Sequence, residues 1–276
     1  MNNSIKKILF LGPKGTYSEI ACEKFRSKTA LQVVFEPVST IAKIIEKIDK
    51  DKDLCAILPI ENSIEGIVRG TLDGLFACVN NVKIWAQTEI QIQNCLISNS
   101  KKEDIKYIIS HPQPLAQCQN YICANFNNIE IVNTTSTAAA TSQLEQKGEG
   151  WASIGNEFCA KMYGVPILER NINDNKDNKT RFIFVSQNEH DFGVKSRTSL
   201  VFSTKQAPGA LVEALNVFKK HNLNLIYIES RPSKRVLGEY NFFVDIDSDI
   251  ENMQNALIEL KDVTQNYKIL GSYSVL

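Results

Sequence analysis

The sequence has no long apolar run and no surplus of charge of either sign. Its first apolar stretch, ILFLGP after MNNSIKK, is far too short for a signal-peptide core, and no later stretch approaches a membrane span. Lys+Arg 31 balance Asp+Glu 31, so no basic surplus would attract nucleic acid or anionic lipid. These absences argue against nucleic acid and membranes as partners. They predict a cytoplasmic protein that handles small molecules.

Histidines are few, and the cysteines lack the spacing of metal or redox motifs. The three histidines are scattered at His111, His190 and His221. The closest cysteine pair, Cys118 and Cys123, lacks the two-residue spacer of a zinc or redox site. Seven cysteines without a secretion signal predict reduced thiols that mostly fill cores. We therefore expect neither a metal site nor a disulfide framework.

What the chain does contain is an alternation of short apolar runs and helical patterns. The runs suited to strands cover residues 8–11, 54–60, 106–109, 129–132 and 151–154, and the helical patterns cover 18–25, 115–126 and 157–163. This alternation predicts a mainly parallel, doubly wound α/β sheet. Residues 82–96 alternate apolar and polar for longer than one buried strand needs, which suits a crossing between two lobes.

The same pattern predicts the domain organisation. We place lobe 1 at about residues 5–80 plus 165–186 and lobe 2 at about 85–164, with a cleft between them. The polar, strand-poor segment 187–198 is predicted to be a linker. From 199 to 276 the order strand, helix, strand, strand, helix, strand predicts a ferredoxin-like βαββαβ module.

Polar loops follow the predicted strands, where ligands bind in open α/β sheets. In GPKGTYSEIA, Gly12 and Gly15 permit a tight turn, and Thr16 with Glu19 fits a capping box. The loop has neither the lysine of a phosphate loop nor the dinucleotide spacing, which disfavours a nucleotide. The alternative is that this loop only connects a strand to a helix and binds no ligand.

Two further loops carry hydrogen-bonding groups. Glu61, Asn62 and Ser63 offer an acceptor, an amide and a hydroxyl directly after an apolar run, although Asn62 or Ser63 could instead cap a helix. In SHPQPLAQC, Ser110 ends a strand and Gln117 lies in the first turns of a helix. No elbow motif or carboxylate orienter accompanies Ser110, so covalent catalysis is not expected.

The fourth place is the dipeptide Thr180-Arg181, between NINDNKDNK and the apolar run 182–185. An arginine fork can hold a carboxylate, and the neighbouring threonine can donate a hydrogen bond to the same molecule. The pair therefore predicts a site for a small acid. An arginine in solvent at the edge of a strand is the alternative.

In order, the strings GPKGTYSEIA, PIENSIEGIV, SHPQPLAQC, ASIGNEFCAKMYG and NKTRF resemble the prephenate dehydratase family. The tail, with GALVEALNVF, NLIYIESRP and GEYNFFVDID, resembles the ACT regulatory domain of these enzymes. The resemblance covers nearly the whole chain and implies a catalytic domain like a periplasmic binding protein. Because the chain begins directly on the first strand, we expect a monofunctional enzyme without a chorismate mutase domain.

The resemblance implies a reaction and a set of site residues. Prephenate would lose carbon dioxide and water to become phenylpyruvate, with no cofactor and no metal. Thr180 would polarise the departing hydroxyl, with Glu61 as the competing acid. The implied catalytic residues are Thr180, Glu61, Asn62, Ser110 and Gln117, and the implied substrate-binding residues are Arg181, Ser63, Thr16 and Phe182.

The resemblance also implies regulation by L-phenylalanine. The effector residues would be Gly209, Ala210 and Leu211 at a helix start and Glu229, Ser230 and Arg231 at a strand end. Ile226 and Tyr227 stand where relatives commonly carry a threonine and a basic residue. Such modules usually pair, so a homodimer or homotetramer is expected. An arogenate dehydratase and a sensor without catalysis are the alternatives.

Overall fold

A computed structural model describes residues 5, 7–29, 33–233 and 238–276. Its strands are β1 Lys7–Leu11, β2 Val34–Val38, β3 Cys55–Asn62, β4 Gly66–Ile67, β5 Lys83–Gln91, β6 Cys95–Ile97, β7 Tyr107–Ser110, β8 Glu130–Asn133, β9 Trp151–Gly155, β10 Ile167–Glu169, β11 Lys179–Ser186, β12 Lys195–Thr204, β13 Leu225–Pro232, β14 Tyr240–Ile246 and β15 Thr264–Val275. Its helices are α1 Tyr17–Thr29, α2 Ile41–Lys50, α3 Arg69–Ala77, α4 Pro112–Gln117, α5 Gln119–Asn125, α6 Thr137–Ser142, α7 Leu144–Lys147, α8 Glu157–Tyr163, α9 Ala210–Lys220 and α10 Gln254–Val263. Among these helices none combines the length and the apolar character needed to span a bilayer.

Two sheets organise the described strands. The larger sheet has the order β13-β14-β12-β15-β5-β11-β3-β1-β2, with β4 paired to β3, and the smaller has the order β10-β6-β9-β7-β8. Strands β1, β2 and β3 are parallel to one another, as are β7, β8 and β9. Antiparallel pairs are formed by β5 and β11 in the larger sheet and by β6 and β10 in the smaller sheet. The chain crosses between the lobes after β5 and again before β11. The two-lobed α/β fold is confirmed, and its sheets are mixed.

The lobe boundaries differ from the predicted ones. The predicted lobe 1 includes residues 165–186, but β10 pairs with β6 in the smaller sheet and so belongs to lobe 2. Likewise β5, predicted to open lobe 2, is a nine-residue strand of the larger sheet. The chain therefore crosses between lobes at about 92–94 and 170–178. The alternation at 82–96 covers a strand and the crossing that follows it, which a period-2 pattern does not separate.

The C-terminal domain has the predicted βαββαβ order, but it is not a module on a free linker. Its strand β15 pairs in parallel with β5 of lobe 1, so that one sheet runs through both domains. The domain's first strand begins at Lys195, which shortens the predicted linker 187–198 to about 187–194. That segment packs on lobe 1, since His190 is buried and the Gln187 amide donates to the carbonyls of Ile48 and Asp49.

The larger sheet separates two apolar cores. One face packs on α1, where Phe25 and Phe184 stack with ring centroids 4.9 Å apart. The other face packs on α2 and α3, and the C-terminal domain joins this second core through Phe243, which contacts Phe76 of α3 edge to face at 6.0 Å. Helix α3 is also held by Lys268 of β15, whose ammonium donates to carbonyls at the helix C-terminus.

Gly271 lies at a tight backbone contact between the two domains. A Cβ built there would lie 2.2 Å from the carbonyl oxygen of Ile84 on β5, an atom that cannot move without shifting the strand. We expect Gly271→Ala to cost about 1–3 kcal/mol of stability, measured as a fall in Tm of roughly 5 °C. The control is Gly70→Ala in α3, whose nearest neighbour would be 3.8 Å away and which should be neutral or stabilising. Equal Tm values for both variants would contradict this account of the junction.

Candidate active site

Successive residues of β11 face opposite sides of the larger sheet. Thr180 and Phe182 line the cleft on the α1 side, whereas the side chain of Arg181, between them, points toward the C-terminal domain. Since side chains alternate along a strand, the two members of the Thr180-Arg181 pair cannot both reach one small ligand. The structure therefore divides the predicted site in two.

Asn62, at the end of β3, holds the Thr180 hydroxyl. The Asn62 amide nitrogen donates to Oγ1 of Thr180 at 2.9 Å and to Oδ1 of Asn178 at 2.8 Å. The Asn62 amide oxygen accepts from the backbone N–H groups of Ile64 and Glu65, both at 3.0 Å, which fixes the β3–β4 turn. Because Asn62 donates to it, the threonine oxygen is an acceptor there, and among the described residues none takes its hydrogen. The hydroxyl can therefore donate into the cleft.

The cleft is a cavity of about 270 Å³ between the lobes. Its lining combines apolar surface with polar side chains but contains no lysine or arginine among the described residues; it consists of Leu11, Gly12, Thr16, Tyr17, Ser18, Asn62, Ile92, Asn94, His111, Gln113, Pro114, Gln117, Thr135, Ser136, Thr137, Thr180 and Phe182. An anion in this cleft would be received by N–H and O–H donors instead of by lysine or arginine. That environment solvates a negative charge less well than water does.

Contacts between lobes close the cleft at two sides. Gln117 of lobe 2 donates to the Glu65 carboxylate of lobe 1 at 3.0 Å. The Tyr17 hydroxyl donates to the carbonyl oxygen of Gln93 at 2.7 Å, at the first crossing. Burial is the main cause that raises the pKa of Tyr17, so its phenol stays neutral and can act only as a hydrogen-bonding group. Thr16, also predicted, lines the cleft, but its hydroxyl donates to backbone carbonyls.

Ser110 is not in the cleft. Its side chain is completely buried, and its hydroxyl donates to the carbonyl oxygen of Ile154 at 2.6 Å, tying β7 to β9. The predicted strand does end at Ser110, but this side chain is buried against β9 and does not face the cleft. The neighbouring His111 does reach the cleft, and its Nδ1 accepts from the backbone N–H of Gln113 as the cap of α4.

Glu61, Arg181 and Ser63 lie on the far side of the sheet. They line a separate cavity of about 340 Å³ between lobe 1 and the C-terminal domain. The Arg181 guanidinium pairs with Glu61 at 3.1 Å and with Asp245 of β14 at 2.5 Å. Arg181 therefore neutralises protein carboxylates, and Glu61 does not face the Thr180 hydroxyl. Ser63 accepts from the backbone N–H of Lys179 at 2.9 Å, outside the cleft.

Comparison with known proteins adds the family. The prephenate dehydratase family model matches residues 8–190 and the ACT domain model matches residues 198–262. A curated prephenate dehydratase from Methanocaldococcus jannaschii is 37% identical over 273 residues, which cover 98% of both chains. The chain belongs to the prephenate dehydratase family.

Two solved structures resemble this member of the prephenate dehydratase family along nearly its whole length. A prephenate dehydratase from Arthrobacter aurescens, in complex with L-Phe, has a TM-score of 0.86 and 31% identity, covering 97% of this chain and 90% of that one. GqqA, called a novel type of quorum quenching acylase, has a TM-score of 0.85 and 26% identity, covering 98% of each chain. Because proteins of this fold carry different activity names, the function must be argued from the site.

In the ACT domain, the predicted effector residues fall into two groups. Gly209, Ala210 and Leu211 line a surface depression of about 460 Å³ at the start of α9, where Gly209 has φ 84°. The strand residues Glu229, Ser230 and Arg231 do not line that depression, although Ser230 pairs in register with Phe242, which does. Arg231 instead forms a two-pronged ion pair with Asp73 of α3, at 3.2 and 3.0 Å.

Several residues in or beside the cleft were not predicted from the sequence. Asn178 holds Asn62 from the second crossing, Asn94 lies at the first crossing, and Glu65 holds Gln117. Asn178 lies in NKTRF and Glu65 in PIENSIEGIV, so the strings that show the family contain both. Their roles depend on pairing across the lobes, which spacing along the chain does not reveal.

We expect Asn62→Ala to lower turnover roughly tenfold to a hundredfold, because it removes the donor that orients the Thr180 hydroxyl. The matched control is Ser63→Ala, the next residue, whose hydrogen bonds with the 177–179 segment lie outside the cleft. Steady-state kinetics of both variants with prephenate measure the difference. A loss for Ser63→Ala as large as that for Asn62→Ala would show that the loop, and not the amide, matters.

Proposed function

We propose that this protein is a carbon–oxygen lyase that converts prephenate into phenylpyruvate, carbon dioxide and water. The observation that carries the proposal is the Thr180 hydroxyl, which accepts from Asn62 and can donate into a cleft without lysine or arginine among its described lining residues. The family and its relatives support the choice of substrate. The reaction needs no oxidant or reductant, and the one proton that it consumes comes from solvent.

The reaction asks two things of the cleft. The bond from the ring to its carboxylate breaks and its electron pair forms a ring double bond, while the ring hydroxyl leaves and takes up a proton from solvent to become water. A hydrogen bond from Thr180 would stabilise the charge that develops on the departing oxygen. A threonine hydroxyl is a poor acid, so we assign it the role of a polarising donor. Glu61, on the other face of the sheet, is not assigned the role of acid.

The scarcity of cations in the cleft supports the decarboxylation step. A carboxylate moved from water into a drier site loses solvation, and losing its charge as carbon dioxide becomes more favourable. An arginine forked onto the ring carboxylate would stabilise the ground state and oppose this loss. The hydroxyl and amide donors of Gln113, Gln117 and Thr135 line the cleft and would hold the substrate without that cost.

The ACT domain supports regulation by L-phenylalanine, the amino acid made from the product. We place the effector at the depression beside Gly209, Ala210 and Leu211, where the amides at the start of α9 would receive its carboxylate. Ser230 lies near by through its pairing with Phe242. We do not assign Arg231 a direct contact with the effector, because its guanidinium is paired with Asp73.

We further propose a homodimer formed through the ACT domain, in a reducing compartment such as the cytoplasm. Among the described strands, β13 pairs on one side only, and it exposes Ile226 and Ile228 at 41% and 45%; Tyr240 of β14, opposite Pro232, is 45% exposed. Such an apolar stripe on a free sheet edge suits a second copy of the chain. All seven cysteines are free thiols, which fits a reducing environment.

Thr180→Ala should lower the turnover of prephenate roughly a hundredfold or more, the scale for loss of one preorganised donor, with little change in KM. Phenylpyruvate absorbance follows the reaction. Thr180→Ser, which keeps the hydroxyl, is the matched control and should retain most of the activity. Near-normal turnover of the alanine variant would reject the role of Thr180.

The same assay with arogenate separates the two dehydratases, and wild-type protein that converts neither compound would reject the proposed function. A preference for arogenate would change the substrate but leave the role of Thr180 intact.

Ile228→Asp should dissociate the dimer and abolish inhibition by phenylalanine, while turnover without effector stays near the wild-type value. The reason is that an aspartate would put a desolvated charge into the proposed interface. Sedimentation and phenylalanine titration measure the two effects. Val194→Asp, at a position that is 87% exposed and remote from β13, is the control. An unchanged sedimentation coefficient for the Ile228 variant would rule out this interface.

A further inference from the structure

Arg181, the residue next to Thr180, is buried in the junction between the two domains. The side chains of Arg181 and its partner Asp245 are only 8% and 7% exposed, and the Arg181 Nη1 lies 2.5 Å from the Asp245 carboxylate. Asp245 lies on β14 of the ACT domain, whereas Arg181 lies on β11 of lobe 1. The peptide that joins Arg181 to Thr180 therefore connects the interdomain ion pair directly to the cleft.

The ACT domain holds Asp245 in one orientation. The Ser199 hydroxyl, on β12, donates to the Asp245 carboxylate and is itself 2.8 Å from the Tyr273 hydroxyl on β15. Ser199 is 2% exposed and Tyr273 is completely buried. These three strands together fix the carboxylate, so it is a rigid partner and not a mobile surface charge.

Lobe 1 holds the other side of the Arg181 guanidinium. Glu61 pairs with it at 3.1 Å, and the Gln87 side-chain oxygen accepts from Arg181 at 3.2 Å and from Arg197 at 3.1 Å. Burial alone would lower the pKa of Arg181, but the carboxylates of Asp245 and Glu61 outweigh it and raise that pKa. Arg181 therefore stays charged and is held between two domains.

We propose that Asp245 is a positioning residue for catalysis, which acts through Arg181 to set the place of the Thr180 hydroxyl. The ACT domain thus completes the active site without reaching into it. Thr180 and Arg181 are consecutive residues of β11, and each pairs with β3 and with β5, so a shift of the Arg181 backbone moves Thr180 with it. A displacement of about 1 Å in a reacting group can cost on the order of a hundredfold in rate.

The test is Asp245→Asn in the full-length protein, which removes the charge and keeps the shape. The inference rests on the proposed function, so wild-type turnover of prephenate is measured first; its absence rejects the function, whereas the variants test only the positioning. We expect kcat to fall roughly tenfold and KM to change less than about twofold, because Asp245 does not line the cleft. A wild-type kcat for this variant would overturn the proposal.

A double-mutant cycle separates positioning from general damage. If Asp245 acts through the Thr180 hydroxyl, Asp245→Asn should change kcat by less than about twofold in a Thr180→Ala background, because the group it positions is gone. Equal losses in the wild-type and Thr180→Ala backgrounds would show that Asp245 supports the fold and not the hydroxyl, and would also overturn the proposal.

Two further variants keep the test decisive if Asp245→Asn does not fold. Ser199→Ala leaves the ion pair and removes the hydroxyl that orients Asp245, so it should lower kcat in the same direction by a smaller factor. Asp73→Asn is the matched control, since it weakens another interdomain ion pair, with Arg231, that does not involve β11. It should lower Tm and leave kcat unchanged. A kcat loss for Asp73→Asn equal to that for Asp245→Asn or Ser199→Ala would contradict positioning through Arg181.

Discussion

The alternation of side chains along β11 determines which residues reach the cleft and which reach the domain junction. Because Thr180 and Arg181 are consecutive residues of one strand, one faces the cleft and the other faces the ACT domain. Asn62 and Glu61, opposite them on β3, divide in the same way. The sheet therefore separates a neutral hydrogen-bonding site from a buried ionic one, with a single strand serving both.

This arrangement explains why the cleft can be poor in cations although a basic residue follows the threonine. The Arg181 guanidinium is paired with the carboxylates of Asp245 and Glu61, so it does not stabilise a substrate carboxylate. At the domain junction that contains the ion pair, the two domains share one sheet. There β15 pairs with β5, and Gly271 lies against Ile84. Lobe 2, in contrast, is connected to lobe 1 by the two crossings and by side-chain contacts such as that of Gln117 with Glu65.

The sequence predicted a helix or strand well where residues of that element mark its ends. Helix α8 covers residues 157–163 as predicted, and Gly164 ends it with φ 65°. The three-residue strand β10 was placed in the wrong lobe because so short a run carries no periodicity. Of the predicted site residues, Asn62, Thr180 and Gln117 lie together at the cleft, whereas Ser110 and Glu61 do not. Strand alternation could have separated Thr180 from Arg181, whereas the partnership with Asp245 joins residues that are distant in sequence and could not be read from it.

A crystal structure with a stable prephenate mimic that keeps the ring hydroxyl would show directly which side chain receives the departing oxygen. We expect the Thr180 Oγ1 to donate to this hydroxyl oxygen at about 2.7–2.8 Å, Asn62 still to donate to Thr180, and Arg181 to remain paired with Asp245. A mimic whose carboxylate is held by the Arg181 guanidinium, with its ring hydroxyl away from Thr180, would contradict this expectation.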